Sequence, residues 1–106
     1  MTASEQGILH RFKALLLERV ALDKLILFGS RARGDAEPDS DLDVIVIVRG
    51  PADRDVREQI SACAWESAFA SGIVVVPVVY TREEWEEGPE RSSLLVQAVD
   101  REGIPV

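Results

Sequence analysis

The stretch from Asp41 to Val48 constrains the fold of this chain more than any other. Two acidic residues, Asp41 and Asp43, flank Leu42 and lead directly into Val44-Ile45-Val46-Ile47-Val48. An unbroken apolar run rich in β-branched residues predicts a buried strand. Side chains two residues apart on a strand share a face, so Asp41 and Asp43 should point the same way.

The acid pair at the start of this strand needs a positive charge nearby. Two carboxylates a few ångströms apart repel each other unless something cationic lies between them. Mg²⁺ commonly binds one or two carboxylates together with substrate phosphates. We therefore predict that Asp41 and Asp43 bind a divalent metal; the simpler alternative is a solvated strand entry.

The segment that precedes the acid pair is suited to phosphate. Leu25–Phe28 predicts a short buried strand, which ends abruptly in Gly29-Ser30-Arg31-Ala32-Arg33-Gly34. Glycine lets a ligand approach the backbone closely, and the free N–H groups at a helix start attract anions. Arg31 and Arg33 add charge that suits phosphate oxygens. Two simpler interpretations stay open: Ser30 could serve only as an N-cap, and Arg33 could form a structural ion pair.

Taken together, the motif from Phe28 to Val48 resembles that of a known family. It is similar to the minimal nucleotidyltransferase domain of the DNA polymerase beta superfamily, in the small prokaryotic form often paired with a HEPN-domain protein in toxin–antitoxin operons. The resemblance implies that Gly29, Ser30 and Arg33 bind a nucleoside triphosphate, most simply ATP. It also implies that Asp41 and Asp43 are catalytic and hold two Mg²⁺ ions.

The activity implied by this resemblance is transfer of a nucleoside monophosphate to a hydroxyl group, with release of pyrophosphate. The acceptor would belong to a partner protein, and the chain would act as an antitoxin. An alternative is a catalytically impaired, nucleotide-binding antitoxin that neutralises a HEPN-type ribonuclease by binding alone. An antibiotic-modifying transferase is a weaker alternative, because the chain lacks the extra domain that holds such substrates.

One element of the family pattern is missing. The resembling family takes a third carboxylate from the strand after the long helix, but residues 72–80 here contain no acid. By register the missing acid would lie near Val74. A carboxylate from Asp35, Glu83 or Glu84, from a partner chain or from the acceptor could replace it, or the domain could bind nucleotide without turnover.

The composition limits the remaining possibilities. A chain of 106 residues suits a single domain, here residues 1–106, with one modest core. No apolar run approaches the roughly 20 residues that cross a bilayer, and a single cysteine favours a reducing cytoplasm. The net charge of −7 argues against general nucleic-acid binding and suits a basic protein partner. Oligomerisation is possible.

Helical and strand periodicities predict the order α-β-α-β-α-β-α-α, a small mixed sheet flanked by helices and therefore an α/β (α+β) fold. The third strand should be covered on both faces, although Pro77 favours an edge position or a bulge. The predicted bounds are a helix over Ser4–Ala21, a strand over Lys24–Phe28, a short helix starting in Gly29–Gly34, a loop over Ala36–Ser40, a strand over Asp41–Val48, a helix over Arg54–Ser71, a strand over Ile73–Tyr80, a short helix after Thr81 and a helix over Glu90–Glu102.

Other chemically distinctive residues are assigned to structure or solvent. We expect His10 on the surface, Cys63 in the core, and Trp65 and Trp85 in packing contacts. The acidic segment Glu83–Glu87 is most simply a solvated helix face, and it is also the favoured candidate for contact with a partner.

Overall fold

The computed structural model describes residues 2–34, 37, 40–89 and 93–106. Within them the predicted order of helices and strands is confirmed, and one short strand is added at the end. The elements are α1 (Ala3–Arg19), β1 (Leu22–Phe28), α2 (Ser30–Arg33), β2 (Leu42–Val48), α3 (Arg54–Ala68), β3 (Val75–Thr81), α4 (Arg82–Glu87), α5 (Leu94–Glu102) and β4 (Ile104–Pro105).

The four strands form one mixed sheet in the order β3-β2-β1-β4. Strand β2 is antiparallel to β1 and parallel to β3, whose attachment requires the long crossover through α3. Strand β4 pairs antiparallel with β1, where Ile104 lies opposite Leu27. The α/β class is therefore confirmed, whereas β4 was not predicted because two residues give no periodic signal.

Both faces of the central strand are buried, as its apolar run predicts. Leu42, Val44 and Val46 belong to a core shared with α1 and α3, which contribute Phe12 and Ile60. Ile45 and Ile47 belong to a second core with Trp85 of α4 and with Val96 and Val99 of α5. The alternation of side chains along β2 thus divides the molecule into two layers on either side of the sheet.

Strand β3 lies at the edge of the sheet, the position that Pro77 favours. The expectation that both of its faces are covered is wrong, since only Val75 is buried and the other residues of the strand are half-buried. An edge strand has a neighbour on one side alone, and the short helix α4 that follows it covers little of its length.

The structure also decides the sequence-based assignments of single residues. His10 is exposed and Cys63 is fully buried, as expected. Trp85 is a core residue, but Trp65 is 70% exposed and stacks on the exposed Phe69, so its assignment to packing is wrong. Trp65 lies in the last turn of α3, and Phe69 is the C-cap of the same helix.

Helix ends follow local chemistry. Capping boxes start α1, with Thr2 and Glu5, and α4, with Thr81 and Glu84. Helix α3 ends at Ala68, earlier than predicted. Helix α5 starts after its N-cap Ser93, and residues 90–92 of the predicted helix lie outside the described residues. No helix in the described part of the chain is long and apolar enough to cross a membrane.

Candidate functional site

The acid pair lies where β2 begins, on the sheet face that also carries Ile45. Asp43 is half-buried, between Phe28 of β1 and Val76 of β3 in the register of the sheet. Asp41 is exposed, one residue before the strand. Because the two carboxylates alternate with the buried Leu42, they share the open end of this face.

Gly29 makes room for Asp43. The glycine has φ +80°, and a Cβ atom at this position would lie 2.7 Å from Asp43 Oδ2. Any side chain would therefore collide with the carboxylate, and L-residues rarely adopt this backbone conformation. The sequence predicted that the glycine admits a ligand; the structure shows that the absence of a side chain makes room for the acid.

Ser30 is the first residue of α2, and Gly29 is its N-cap. The simpler interpretation of Ser30 as an N-cap is therefore wrong. The β1–α2 turn and the start of β2 thus form one site, with the Gly29 backbone against the Asp43 carboxylate.

The pKa of Asp43 indicates that the acid pair would gain from a nearby positive charge. Burial, and then the neighbouring charge of Asp41, raise the pKa of Asp43 above its ordinary value. A divalent cation would reverse both effects by stabilising the ionised form. Within the described ranges no cluster of three or more His, Cys, Asp or Glu side chains could hold a metal. Two carboxylates suit Mg²⁺, which also takes phosphate and water ligands.

The two arginines of the turn differ in their surroundings. Arg31 is only 8% exposed and forms an ion pair with the buried Glu5, at 3.2 Å. Its Nε and Nη2 atoms donate to the Ser40 carbonyl at 2.9 and 2.6 Å. Arg33 is half-exposed and lies 3.6 Å from Glu102. Arg31 is thus engaged inside the fold, whereas Arg33 forms at the surface the structural ion pair that the sequence left open.

Glu5 is part of the same buried group. Burial raises the pKa of the Glu5 carboxyl, but hydrogen bonds from Thr2 and Arg31 and the charge of Arg31 outweigh it, so its pKa lies below the ordinary value. Sequence reasoning missed this ion pair, because nothing local connects the first turn of α1 with α2.

Valines lie near the acid pair in the segment where the sequence predicted a third carboxylate. Val76 is the register partner of Asp43, and the Val74 carbonyl accepts a hydrogen bond from the Leu42 N–H at 2.8 Å. Val76 therefore shares a sheet face with Asp43, whereas Val74 precedes the strand and is 58% exposed. Val75 points instead into the core under α3.

The residues that could replace this carboxylate differ in their surroundings. Glu84 is engaged in its capping box, where its Oε1 accepts from the Thr81 N–H at 2.9 Å. Glu83 is exposed on α4. Asp35 lies outside the described residues.

An apolar groove lies between α3 and the start of β3, on the sheet face opposite the one that carries the acid pair. Its volume is about 340 Å³, and its lining includes Trp65 of α3, the helix C-cap Phe69, Val74 just before β3 and Pro77 within the strand. Val74 also connects to the start of β2, because its carbonyl accepts from the Leu42 N–H.

A mixed sheet whose central strand begins with an acid pair, set against a glycine turn, is the arrangement of the nucleotidyltransferase fold. The chain belongs to the nucleotidyltransferase domain family, whose model matches residues 9–100 and so includes both halves of the site.

One protein of similar sequence and one of similar structure are consistent with this family assignment. A Methanocaldococcus jannaschii protein, assigned by inference as a protein adenylyltransferase, is 34% identical over 61 residues, which cover 58% of this chain and 62% of that protein. The chain therefore matches less than two thirds of that relative's length. A chain from the crystal structure of a toxin-antitoxin with AMP-PNP superposes with a TM-score of 0.63 at 25% identity, covering 91% of this chain and 69% of that one.

Proposed function

We propose that this protein is an adenylyltransferase, which transfers AMP from Mg²⁺-ATP to a hydroxyl group of a partner protein and acts as an antitoxin. The observation that carries the proposal is the contact between the Gly29 turn and the Asp43 carboxylate. It brings a phosphate-binding turn and an acid pair into one site. The donor set fits Mg²⁺, since two adjacent carboxylates gain from a cation and leave positions for phosphate oxygens.

In this proposal each residue has a distinct task. The backbone of Gly29 and Ser30 binds the triphosphate at the start of α2, and Arg33 adds positive charge beside it. Asp41 and Asp43 hold Mg²⁺, which when bound neutralises the phosphate charge that develops during transfer. The bond between the α-phosphorus and the bridging oxygen breaks, pyrophosphate leaves, and the acceptor oxygen bonds to the α-phosphorus.

The acceptor hydroxyl must also lose its proton. The valines at positions 74 and 76 cannot accept it, so a carboxylate from another segment, the partner or solvent has to. This requirement makes transfer slow for the isolated chain and dependent on the acceptor complex.

Three observations support a protein acceptor and a toxin–antitoxin setting. The M. jannaschii relative is assigned by inference to protein adenylylation, and the structural neighbour comes from a toxin-antitoxin crystallised with AMP-PNP. The apolar groove between α3 and β3 gives a protein segment a surface to contact. A HEPN-type toxin, the partner implied by the sequence resemblance, is the proposed acceptor.

A second function is favoured by the valines beside the acid pair. Without a third carboxylate the domain would bind nucleotide and metal but transfer AMP poorly, and it would neutralise the toxin by binding alone. This non-catalytic antitoxin needs the same protein partner and differs only in turnover.

Label transfer from α-labelled ATP to the co-expressed partner distinguishes the two functions. We expect Asp41→Asn/Asp43→Asn to lose ATP binding in calorimetry and to lose any transfer, while circular dichroism stays unchanged. If the double variant still binds ATP, the assignment of Asp41 and Asp43 to the nucleotide site is wrong. Tight partner binding with no transfer by the wild type would instead select the non-catalytic antitoxin.

A further inference from the structure

A buried ionic group links the first turn of α1 to the start of the acid pair. Glu5 and Arg31 are 5% and 8% exposed, and Arg31 Nη1 lies 3.2 Å from Glu5 Oε2. The other side of the guanidinium donates through Nε and Nη2 to a single carbonyl, that of Ser40. Glu5 is itself fixed, because its Oε1 accepts from the Thr2 N–H at 2.7 Å.

The Ser40 carbonyl belongs to the peptide unit that contains the nitrogen of Asp41. A peptide unit is planar, so two hydrogen bonds to its oxygen fix the orientation of the plane and the direction in which Asp41 leaves it. On the other side of Asp41, the Leu42 N–H is held by the Val74 carbonyl at 2.8 Å. The backbone of Asp41 is therefore anchored immediately before and immediately after the residue, although its side chain is exposed.

The energetics of buried ion pairs favour a role for Glu5 and Arg31 in fixing local geometry, beyond any stabilisation of the fold. A buried ion pair often contributes little net stability, since desolvation offsets the attraction, and apolar side chains of similar size can replace it. Arginine differs from lysine here, because its planar fork can bind Glu5 on one side and the Ser40 carbonyl on the other. The small net stability of a buried ion pair and the planar fork of arginine both suit a group whose role is to fix the backbone geometry.

We propose that Arg31 is a positioning residue for the metal site: held by Glu5, it orients Asp41 through the Ser40 carbonyl. The inference rests on the proposed function in one respect, that Asp41 is a metal ligand. Residues that orient ligands contribute about 10- to 100-fold to metal affinity in other proteins. Arg31 thus affects binding without touching metal or nucleotide.

The test measures Mn²⁺ affinity by electron paramagnetic resonance and the free energy of unfolding in urea on the same samples. Arg31→Lys keeps the positive charge for Glu5 but cannot make the paired bonds to Ser40 as well. Glu5→Gln/Arg31→Met keeps the capping interaction with Thr2 and leaves no buried charge unpaired. Arg19→Met/Glu66→Leu is the control, since it removes another ion pair, of 2.8 Å, that lies away from the acid pair.

We expect both Arg31 variants to bind Mn²⁺ about tenfold more weakly than the wild type, at temperatures where every sample is fully folded. The Arg19→Met/Glu66→Leu control should bind as the wild type does, which would separate positioning from general loss of stability. If one Arg31 variant fails to fold, the Mn²⁺ affinity of the other variant tests the inference.

Two results would overturn the inference and point to different causes. Wild-type affinity in folded Arg31 variants, together with its loss in Asp41→Asn, would refute positioning while leaving the metal site intact. Unchanged Mn²⁺ affinity in Asp41→Asn would show that Asp41 is not a metal ligand. That result would contradict both the proposed function and the role of Arg31.

Discussion

At the scale of single residues, Gly29 and Asp43 depend on each other. The carboxylate occupies the space that a side chain at position 29 would need, so the glycine makes room for the acid. Asp43 in turn has a raised pKa, because it is partly buried and lies near Asp41. The proposed bound cation would lower this pKa by stabilising the ionised carboxylate.

Gly29→Ala should therefore abolish binding of Mg²⁺-ATP, because the new Cβ displaces the Asp43 carboxylate. Gly50→Ala is the matched control: Gly50 has φ +73°, and among the described residues no atom lies within 4 Å of the place that a Cβ would take there. Both variants should lose about 1–2 kcal/mol from backbone conformation, but only the first should lose the ligand. Calorimetry and urea unfolding measure the two effects, and equal nucleotide affinity in both variants would contradict the role of Gly29.

Asp43→Asn should stabilise the metal-free protein at neutral pH, by on the order of 0.5 kcal/mol for this half-buried group. An acid whose pKa is raised by folding favours the folded state below its unfolded pKa. That stability is lost as the pH rises through the folded pKa. Urea unfolding in EDTA should show this fall with pH for the wild type and a flatter profile for Asp43→Asn. Added Mg²⁺ should reverse the order of stability, because it binds only the wild type.

At the scale of elements, β3 and the residue before it carry the positions where the proposed activity would need a third carboxylate. The register of β3 places Val76 beside Asp43, and the carbonyl of Val74, just before the strand, accepts from the Leu42 N–H, whereas Val75 is buried under α3. The strand alternation therefore separates positions that could add a carboxylate to the acid pair from one that could not.

Val74→Asp and Val76→Asp should each raise the rate of label transfer to the partner, since a third carboxylate strengthens metal binding and can accept a proton. A general base contributes typically about 10²- to 10⁴-fold. Val75→Asp should instead unfold or destabilise the protein by about 3 kcal/mol or more, because it buries an unpaired charge. Strong wild-type transfer that neither Val74→Asp nor Val76→Asp increases would show that two aspartates suffice.

At the scale of the whole molecule, charge and shape fit the proposed protein partner. The net charge of −7 opposes phosphate backbones, while the groove between α3 and β3 presents an apolar surface.

Random-sequence duplex and single-stranded nucleic acids should therefore bind with dissociation constants weaker than about 10⁻⁴ M at physiological salt, the weak end of non-specific binding. Fluorescence anisotropy of labelled oligonucleotides measures this affinity. Tight binding with a steep dependence on salt would show that a basic surface exists despite the negative net charge.

The sequence by itself determined the central strand, the order of the helices and strands up to α5, and the residues of the acid pair and the turn. These follow from local rules: β-branched runs, helical periodicity, capping boxes and the two-residue alternation of strands. Only the tertiary structure decided that Gly29 and Asp43 touch, that Glu5 and Arg31 form a buried pair, that Trp65 is exposed, and that β4 completes the sheet. Each of these depends on segments that are distant along the chain, and no local pattern encodes which of them meet in the folded protein.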